Sequence, residues 1–166
     1  REDVELFTYI QFLFFRQWEA LKAYIHSLGI RIIGDLPIYV AMDSADVWAE
    51  PEMFQLDEHN VPTEVSGVPP DCFSEDGQLW GNPLYNYEAM AKDGFGWWIR
   101  RIGGAQKLYD VIRIDHFRGF ESYWAIPYGE TTAKNGRWVK GPGMALVGVL
   151  TGWFHDIEFI AEDLGY

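Results

Sequence analysis

The sequence predicts an α/β fold in which short parallel strands alternate with helices. Short, mainly apolar runs cover positions 30–33, 111–114 and 158–161 of the 166-residue chain, and segments with helical periodicity separate them. Strands that alternate with helices are usually joined by right-handed crossovers into a parallel sheet. No internal repeat, low-complexity tract or linker interrupts this order, so we expect one domain.

The first helix is predicted over residues 4–28, where apolar side chains recur at helical spacing. Gly29 follows at the position where a glycine often ends a helix. The apolar residues form a broad stripe, which we expect to be buried in the core. Three aromatic residues widen this stripe and are predicted to be core residues, namely Phe12, Phe14 and Phe15.

The middle and end of the chain contain further helix signals. Asp43 or Ser44 can cap a short helix that reaches Trp48, and Pro51 is placed to begin another turn. Longer helices are predicted within residues 85–90, 95–108 and 144–154. We expect a hairpin or loop at 55–65, and irregular structure at 120–128 and 136–143.

The longest irregular stretch is predicted at residues 67–83. Loops of this length in compact domains are usually functional or disordered, and the aromatic side chains of Phe73 and Trp80 argue against disorder. Two interpretations of these rings stay open from the sequence. They either stack on the faces of sugars or pack the loop onto the body of the domain.

Composition excludes several classes of function. The formal net charge of −12 argues against nucleic acid or an anionic membrane surface as a partner. Cys72 is the only cysteine, so an internal disulfide and a cysteine-based metal site are excluded, and a reducing, cytosolic setting fits. No apolar run approaches the roughly 18 residues of a membrane-spanning helix.

Arg113 and Asp115 stand at the end of the central predicted strand, in the segment RIDHFRG at 113–119. Residues two apart in a strand share a face, so the guanidinium can hold the carboxylate ionised. An Arg–Asp pair that only closes a strand end is the structural alternative.

Acidic residues follow all three predicted strands, namely Asp35, Asp115 and Glu162. The carboxyl ends of parallel strands lie on one face, where active sites collect. On neighbouring strands, Asp115 and Glu162 would approach the roughly 5–5.5 Å carboxyl separation of a retaining glycosidase. We expect Asp115 to be ionised beside Arg113 and to act as nucleophile, and Glu162 to be held protonated as general acid. Caps for the helices that follow are the alternative role.

Other chemistries fit the sequence less well. No glycine-rich phosphate loop of the P-loop or dinucleotide type is present, so no cofactor is predicted. The histidines show no paired spacing of metal ligands, so no metal site is predicted. His116, directly after Asp115, is the one histidine with a position suited to a site.

Six segments together resemble the 4-α-glucanotransferase (amylomaltase, or disproportionating enzyme) family. They are GDLPIYV at 34–40, DSADVW at 43–48, GVPPD at 67–71, GNPLY at 81–85, RIDHFRG at 113–119 and AEDLG at 161–165. The resemblance implies that residues 1–166 are the central segment of a single catalytic (β/α)8 barrel of the TIM type, truncated at both ends. About three parallel strands, their crossover helices and a long cleft loop would belong to this segment.

The resemblance also implies roles for individual residues. Asp115 would form the glycosyl-enzyme intermediate, Glu162 would be the acid/base, and Arg113 would hold the nucleophile. Asp35 and His116 would contact sugar in the donor subsite. Gln78, Trp80 and Phe73 would meet glucan from the cleft loop, where Cys72 replaces an aromatic residue common in the family.

The implied reaction is retaining transfer of α-1,4-glucan segments between maltooligosaccharides, with glucose or a maltooligosaccharide as acceptor. A third carboxylate of the family lies on a later strand, so we expect the fragment alone to have little or no activity. Open edges of its sheet predict self-association. The alternatives are a related α-amylase-type hydrolase or debranching transferase, and a non-catalytic α-glucan-binding domain.

Overall fold

The computed structural model describes residues 1–162. Residues 163–165, the end of the AEDLG segment, lie outside the described residues. The described helices are α1 (Glu2–Ser27), α2 (Ala45–Ala49), α3 (Tyr87–Lys92), α4 (Gly96–Leu108) and α5 (Met144–Trp153). The strands are β1 (Ile33–Leu36), β2 (Glu64–Val68), β3 (Gln78–Pro83), β4 (Val111–Ile114), β5 (Ser122–Pro127), β6 (Arg137–Lys140) and β7 (Glu158–Ala161).

A parallel sheet with the order β1-β4-β7 forms one layer, as the alternation of strands and helices predicted. Strands β4 and β7 have the predicted bounds. Strand β1 lies three residues later than predicted, because the backbone N–H groups of Asp110 and Val111 both donate to the carbonyl of Ile32, and pairing with β4 starts at Ile33. Asp35 is therefore inside β1, directly opposite Arg113.

A second, antiparallel sheet with the order β3-β2-β5-β6 was not predicted. The expected loop at 67–83 is irregular only over residues 69–77, and the stretches at 120–128 and 136–143 contain β5 and β6. These strands depend on cross-strand pairs such as Trp124 with Trp138, whose ring centroids lie 5.2 Å apart. Such partners are far apart in the sequence, so local alternation does not show them.

The helix signals in the middle of the chain are confirmed. The hydroxyl of Ser44 accepts the backbone N–H of Val47 at 3.3 Å and caps α2, while Pro51 begins a 3₁₀ turn. Asn86 caps α3 by accepting the backbone N–H of Ala89. The expected hairpin at 55–65 is a tight turn closed by an antiparallel bridge between Leu56 and Pro62.

An aromatic core holds the carboxyl end of β4 in place. The ring of Trp98 on α4 packs edge-to-face against Phe120 at 5.0 Å and against Tyr85 at 5.4 Å. All three rings are buried, and burying a large apolar side chain contributes about 1.5–3 kcal/mol. Phe120 ends a 3₁₀ helix that starts two residues after Asp115, so this packing fixes the segment that follows the carboxylate.

The predicted burial of α1 is wrong for the described part of the chain, where none of its residues is buried. Helical periodicity identifies an apolar face but does not say which surface covers it. Here α1 is attached at its second half, where the indole Nε1 of Trp18 donates to the carbonyl of Leu108 at 3.0 Å. The three aromatic residues predicted to be core residues are 56%, 44% and 39% exposed, namely Phe12, Phe14 and Phe15. No helix within residues 1–162 combines the length and apolar character needed to cross a membrane.

Candidate active site

The carboxyl ends of the parallel strands bring three carboxylates around one guanidinium. Nη1 of Arg113 lies 2.6 Å from Oδ1 of Asp35 and 3.4 Å from Oδ1 of Asp115. Its Nη2 lies 2.6 Å from Oε1 of Glu162. The expectation that Arg113 contacts Asp115 is confirmed, but its two short contacts go to the neighbouring strands.

The sheet register explains why Arg113 reaches both sides. Within β4 it pairs with Asp35 of β1 on one side and with Ile160 of β7 on the other. Hydrogen bonding to Asp35 and the charges of all three carboxylates raise the pKa of Arg113, so the cation is held firmly in its charged form. One positive charge is thereby shared among three acidic side chains.

Asp115 follows β4 and Glu162 follows β7. Of these two carboxylates, Glu162 is the better stabilised as an anion. Its Oε2 accepts the backbone N–H of His116 at 2.7 Å, and its side chain is only 13% exposed. This backbone hydrogen bond, a hydrogen bond with Asp115 and the charge of Arg113 lower the pKa of Glu162, although burial opposes the shift.

The pKa of Asp115 is raised instead. Burial has the largest effect, the hydrogen bond and the negative charge of Glu162 add to it, and the guanidinium of Arg113, 3.4 Å away, only partly offsets them. The two pKa shifts thus run in the opposite directions to those expected, with the pKa of Asp115 raised and that of Glu162 lowered. The donor that lowers the pKa of Glu162 is the backbone N–H of His116, and a backbone donor cannot be read from residue types.

Asp115 and Glu162 directly follow adjacent parallel strands, and both carboxylates lie against the guanidinium of Arg113. Two carboxyl groups held by one guanidinium form the kind of close pair that a retaining glycosidase uses as nucleophile and acid/base.

His116 lies beneath the site in a strained backbone conformation. Its φ of +51° is in the left-handed region, and this turn directs its N–H toward Glu162. The residue is 8% exposed, and Nε2 has no hydrogen-bond partner within the described residues. Burial, followed by the charge of Arg118, lowers the pKa of the ring, so His116 is a neutral imidazole with a free polar nitrogen.

Gly119 makes room for this arrangement. A Cβ at this position would lie 2.8 Å from Cδ1 of Ile38 and 3.1 Å from Cδ2 of His116. Any side chain there would push the imidazole or the segment after β1. The glycine of the RIDHFRG segment is thus required by packing directly under the site.

Two of the three predicted cleft-loop residues lie on β3. The indole N–H of Trp80 donates to Oε1 of Gln78 at 3.0 Å, and its ring meets His116 edge-on with centroids 4.9 Å apart. The ring also packs against Tyr39 at 6.3 Å, a residue that the sequence interpretation missed although it lies in the GDLPIYV segment. For Trp80, packing onto the body of the domain is confirmed, while 37% of the residue stays exposed.

Phe73 lies in the 69–77 loop and is 93% exposed, so it does not pack the loop onto the domain. The carboxylate of Asp71 accepts the N–H groups of Phe73 and Ser74, each at 2.8 Å, and gives the loop a defined turn. Among the described residues, no group of three or more histidine, cysteine or acidic side chains is arranged to hold a metal ion.

Carboxylates gathered around an arginine at the carboxyl ends of parallel strands lie where α/β enzymes hold their active sites, and paired carboxyl groups are the catalytic groups of glycoside-processing enzymes. Comparison with known sequences agrees. The 4-alpha-glucanotransferase family matches residues 1–166, and the chain therefore belongs to this family.

Individual relatives support the assignment. The chain is 54% identical over 167 residues to the 4-alpha-glucanotransferase of Clostridium butyricum, covering 100% of the chain and 34% of the relative. It is 58% identical over 159 residues to that of Aquifex aeolicus, covering 96% of the chain and 33% of the relative. The chain thus spans about one third of these relatives.

A solved amylomaltase from Streptococcus agalactiae, in complex with acarbose, superposes with a TM-score of 0.90 at 49% identity. The match covers 94% of this chain and 32% of that structure.

Proposed function

We propose that the protein acts as a 4-α-glucanotransferase, which moves α-1,4-glucan segments from one maltooligosaccharide to another with retention of configuration. One observation carries the proposal. Asp115 and Glu162 follow adjacent parallel strands, and the guanidinium of Arg113 contacts both carboxylates, at 3.4 Å and 2.6 Å.

In the proposed reaction, Asp115 attacks the anomeric carbon of the donor glucan and forms a glycosyl ester. Glu162 gives its proton to the oxygen of the leaving glucan. It then takes a proton from the 4-hydroxyl of the acceptor, which attacks the ester and releases Asp115 as a carboxylate. Atoms and charge balance over the two steps, with Asp115 as the nucleophile and Glu162 as the proton carrier.

The two carboxyl groups differ in their electrostatics. Asp115 has the raised pKa and Glu162 the lowered one, and each carboxyl group acts on the pKa of the other. A glucan that enters the site excludes water from both groups, which favours one proton on the pair, and the proposed reaction places that proton on Glu162. The proton then lies on the residue that needs it as acid, and Asp115 is left as the nucleophile.

Five further side chains form the proposed donor subsites. Asp35 borders the carboxylates, and the neutral His116 offers its unpartnered Nε2 to a sugar hydroxyl. The half-exposed ring of Trp80, with Gln78 beside it, offers a stacking surface, and Phe73 reaches the glucan from the loop. The acarbose complex of the Streptococcus agalactiae relative supports an oligosaccharide as ligand.

We further propose that the chain supplies three parallel strands and the cleft loop of a single catalytic (β/α)8 barrel. Its match to about one third of each relative supports this proposal. A segment of this size would hold two of the three catalytic carboxylates and show little activity alone, and its open sheet edges would favour self-association. A cytosolic setting stays a prediction.

The test uses the complete enzyme that contains this chain, with maltotriose as the only substrate. Transfer gives a ladder of longer and shorter oligosaccharides, and we expect Asp115→Asn and Glu162→Gln to reduce it by at least about 10³-fold. Glu158→Gln is the matched control, since Glu158 lies at the other end of β7 in an exposed pair with Arg31. Glucose without a ladder would identify a hydrolase. Maltotriose binding without any turnover would identify a glucan-binding domain.

A further inference from the structure

The 69–77 loop is hydrogen-bonded at its base to a second loop, residues 128–136, which connects β5 to β6. The backbone N–H of Ala133 donates to the carbonyl of Asp76 at 2.9 Å. The carbonyl of Ala133 in turn accepts the indole N–H of Trp124 on β5 at 2.8 Å. A continuous line of hydrogen bonds thus runs from β5 to the end of the cleft loop.

Close packing makes this connection specific. Ala133 is completely buried with Val65 and Ile126, and the ring of Trp124 packs against this small cluster. A Cβ at Gly77 would lie 2.8 Å from the Cβ of Ala133, so a side chain there would separate the loops. Gly77 and Gly136 are the two glycines that permit the loops and Trp124 to pack together. A Cβ added at Gly136 would lie 2.2 Å from Nε1 of Trp124.

An ion pair reinforces the same contact from outside. Nζ of Lys134 lies 2.5 Å from Oδ1 of Asp76, with the two side chains 52% and 62% exposed. Exposed pairs contribute little because solvent screens them. The buried hydrogen bonds of Ala133 are therefore the main attachment, and the ion pair is an addition.

The attachment point is next to the substrate-facing part of β3. Asp76 and Gly77 directly precede Gln78, and Trp80 follows two residues later against His116. Within the loop, Ser74 donates its hydroxyl to the carbonyl of Gly77 at 2.8 Å, so the turn moves with its base. A shift at Asp76 is thereby transmitted both to the loop turn and to Gln78.

We propose that Trp124, through Ala133, is a positioning residue that holds the cleft loop over the glucan and so favours transfer over hydrolysis. This inference rests on the proposed function, because only a retained glycosyl ester can be captured by either a sugar or water. A loop held in place keeps water from the ester while the acceptor binds. Loosening its base raises the share of hydrolysis.

The first experiment compares Trp124→Phe with the wild-type complete enzyme. Phenylalanine keeps an aromatic ring in the cluster and removes the N–H donor, together with part of the ring volume. We expect amide hydrogen exchange of residues 69–77 to accelerate about threefold to tenfold, the effect of one lost hydrogen bond. The ratio of glucose released to segments transferred from maltotriose should rise by a similar factor.

Trp138→Phe is the matched control. Trp138 is the cross-strand partner of Trp124 on β6, but its indole makes no hydrogen bond within the described residues. This variant should leave both loop exchange and the transfer ratio unchanged. The comparison of the two variants separates loss of the hydrogen bond between Trp124 and Ala133 from general weakening of the sheet.

A second pair of variants covers the case in which Trp124→Phe fails to fold. Lys134→Asp alters only exposed charge and should speed loop exchange slightly, and Asp76→Lys in the same chain should restore it. If a folded Trp124→Phe enzyme shows wild-type loop exchange, the proposal that Trp124 holds the loop is overturned. Faster loop exchange with an unchanged product ratio would overturn the role of Trp124 in favouring transfer. A wild-type enzyme without transfer would instead refute the proposed function. The exchange result would then still test whether Trp124 holds the loop.

Discussion

The backbone N–H of His116 points at Oε2 of Glu162 across a distance of 2.7 Å and joins the segment after β4 to the end of β7. The contact depends on the left-handed φ of His116, which turns the amide out of the direction of the strand. It stabilises the anionic form of Glu162 and lowers the pKa of that carboxyl group. A backbone turn thus contributes directly to the electrostatics of the site.

The first prediction concerns the order of titration. Glu162 should lose its proton below the ordinary glutamate pKa of 4.5, and Asp115 above the ordinary aspartate pKa of 3.8. Carboxyl-carbon NMR of the ligand-free protein measures both, and the two curves should be coupled. In Glu162→Gln the pKa of Asp115 should fall. An Asp115 curve unaffected by that change would show that the carboxyl groups do not interact.

The second prediction concerns stability at neutral pH. The folded pKa of Glu162 is depressed, so its contribution is present above the unfolded value and is lost as pH falls through the folded pKa. Glu162→Gln should therefore cost about 1.5–3 kcal/mol near pH 7, the value of a hydrogen bond to a charged group. Asp115, with a raised pKa, destabilises the fold when ionised, so Asp115→Asn should increase stability. Urea unfolding measures both, and equal losses in the two variants would contradict the assignment.

The third prediction concerns Arg113 as the shared cation. Arg113→Lys keeps the charge but cannot bridge Asp35 and Glu162 with two separate nitrogens, since lysine offers a single ammonium group. We expect transfer activity of the complete enzyme to fall about 10²–10³-fold. Arg31→Lys is the control, because Arg31 forms an exposed pair with Glu158 at the other end of the sheet. Equal activity of both variants would show that the two-nitrogen bridge of Arg113 is not needed for transfer.

The fourth prediction concerns Asp110, which anchors α1 at the opposite end of the sheet. Its carboxylate contacts His26 at 2.8 Å and Lys22 at 3.5 Å, and it accepts the backbone N–H of Ile32. Burial opposes ionisation, yet these contacts together lower the pKa of Asp110. The stabilisation is thus present above the unfolded pKa and disappears as pH falls through the folded one.

Asp110→Asn should therefore cost about 1–3 kcal/mol at neutral pH and less in acid. Hydrogen exchange should accelerate along α1, whose residues are not buried within the described part of the chain. Asp156→Asn is the control. Asp110 and Asp156 both line a surface concavity of about 550 Å³, but Asp156 is exposed. Unchanged exchange in α1 would show that Trp18 alone holds the helix.

Local chemistry made much of the fold predictable from the sequence. Strand β4 has its predicted bounds because Val111 and Ile112 lead directly to a polar segment, and Ser44 caps α2 because its hydroxyl can reach a free N–H of the first turn. The shared face of Arg113 and Asp115 followed from the period of a strand. Each inference needed only residues close in the chain.

The errors arose where the deciding partner is distant or belongs to the backbone. Trp124 and Trp138 pair across strands that lack a clear alternation, so the antiparallel sheet was missed. The stripe on α1 gave no information about what covers it. The N–H of His116 lowers the pKa of Glu162, and no side-chain pattern encodes a backbone donor.

The identity of the nucleophile is tested most directly by trapping the glycosyl ester. The complete enzyme with Glu162→Gln is mixed with maltosyl fluoride, whose fluoride leaves without acid assistance, while the missing base slows release of the ester. After acid quenching and digestion, mass spectrometry should find one maltosyl group on the peptide that carries Asp115. A maltosyl group on another residue, or consumption of the donor without any adduct, would contradict the double displacement at Asp115.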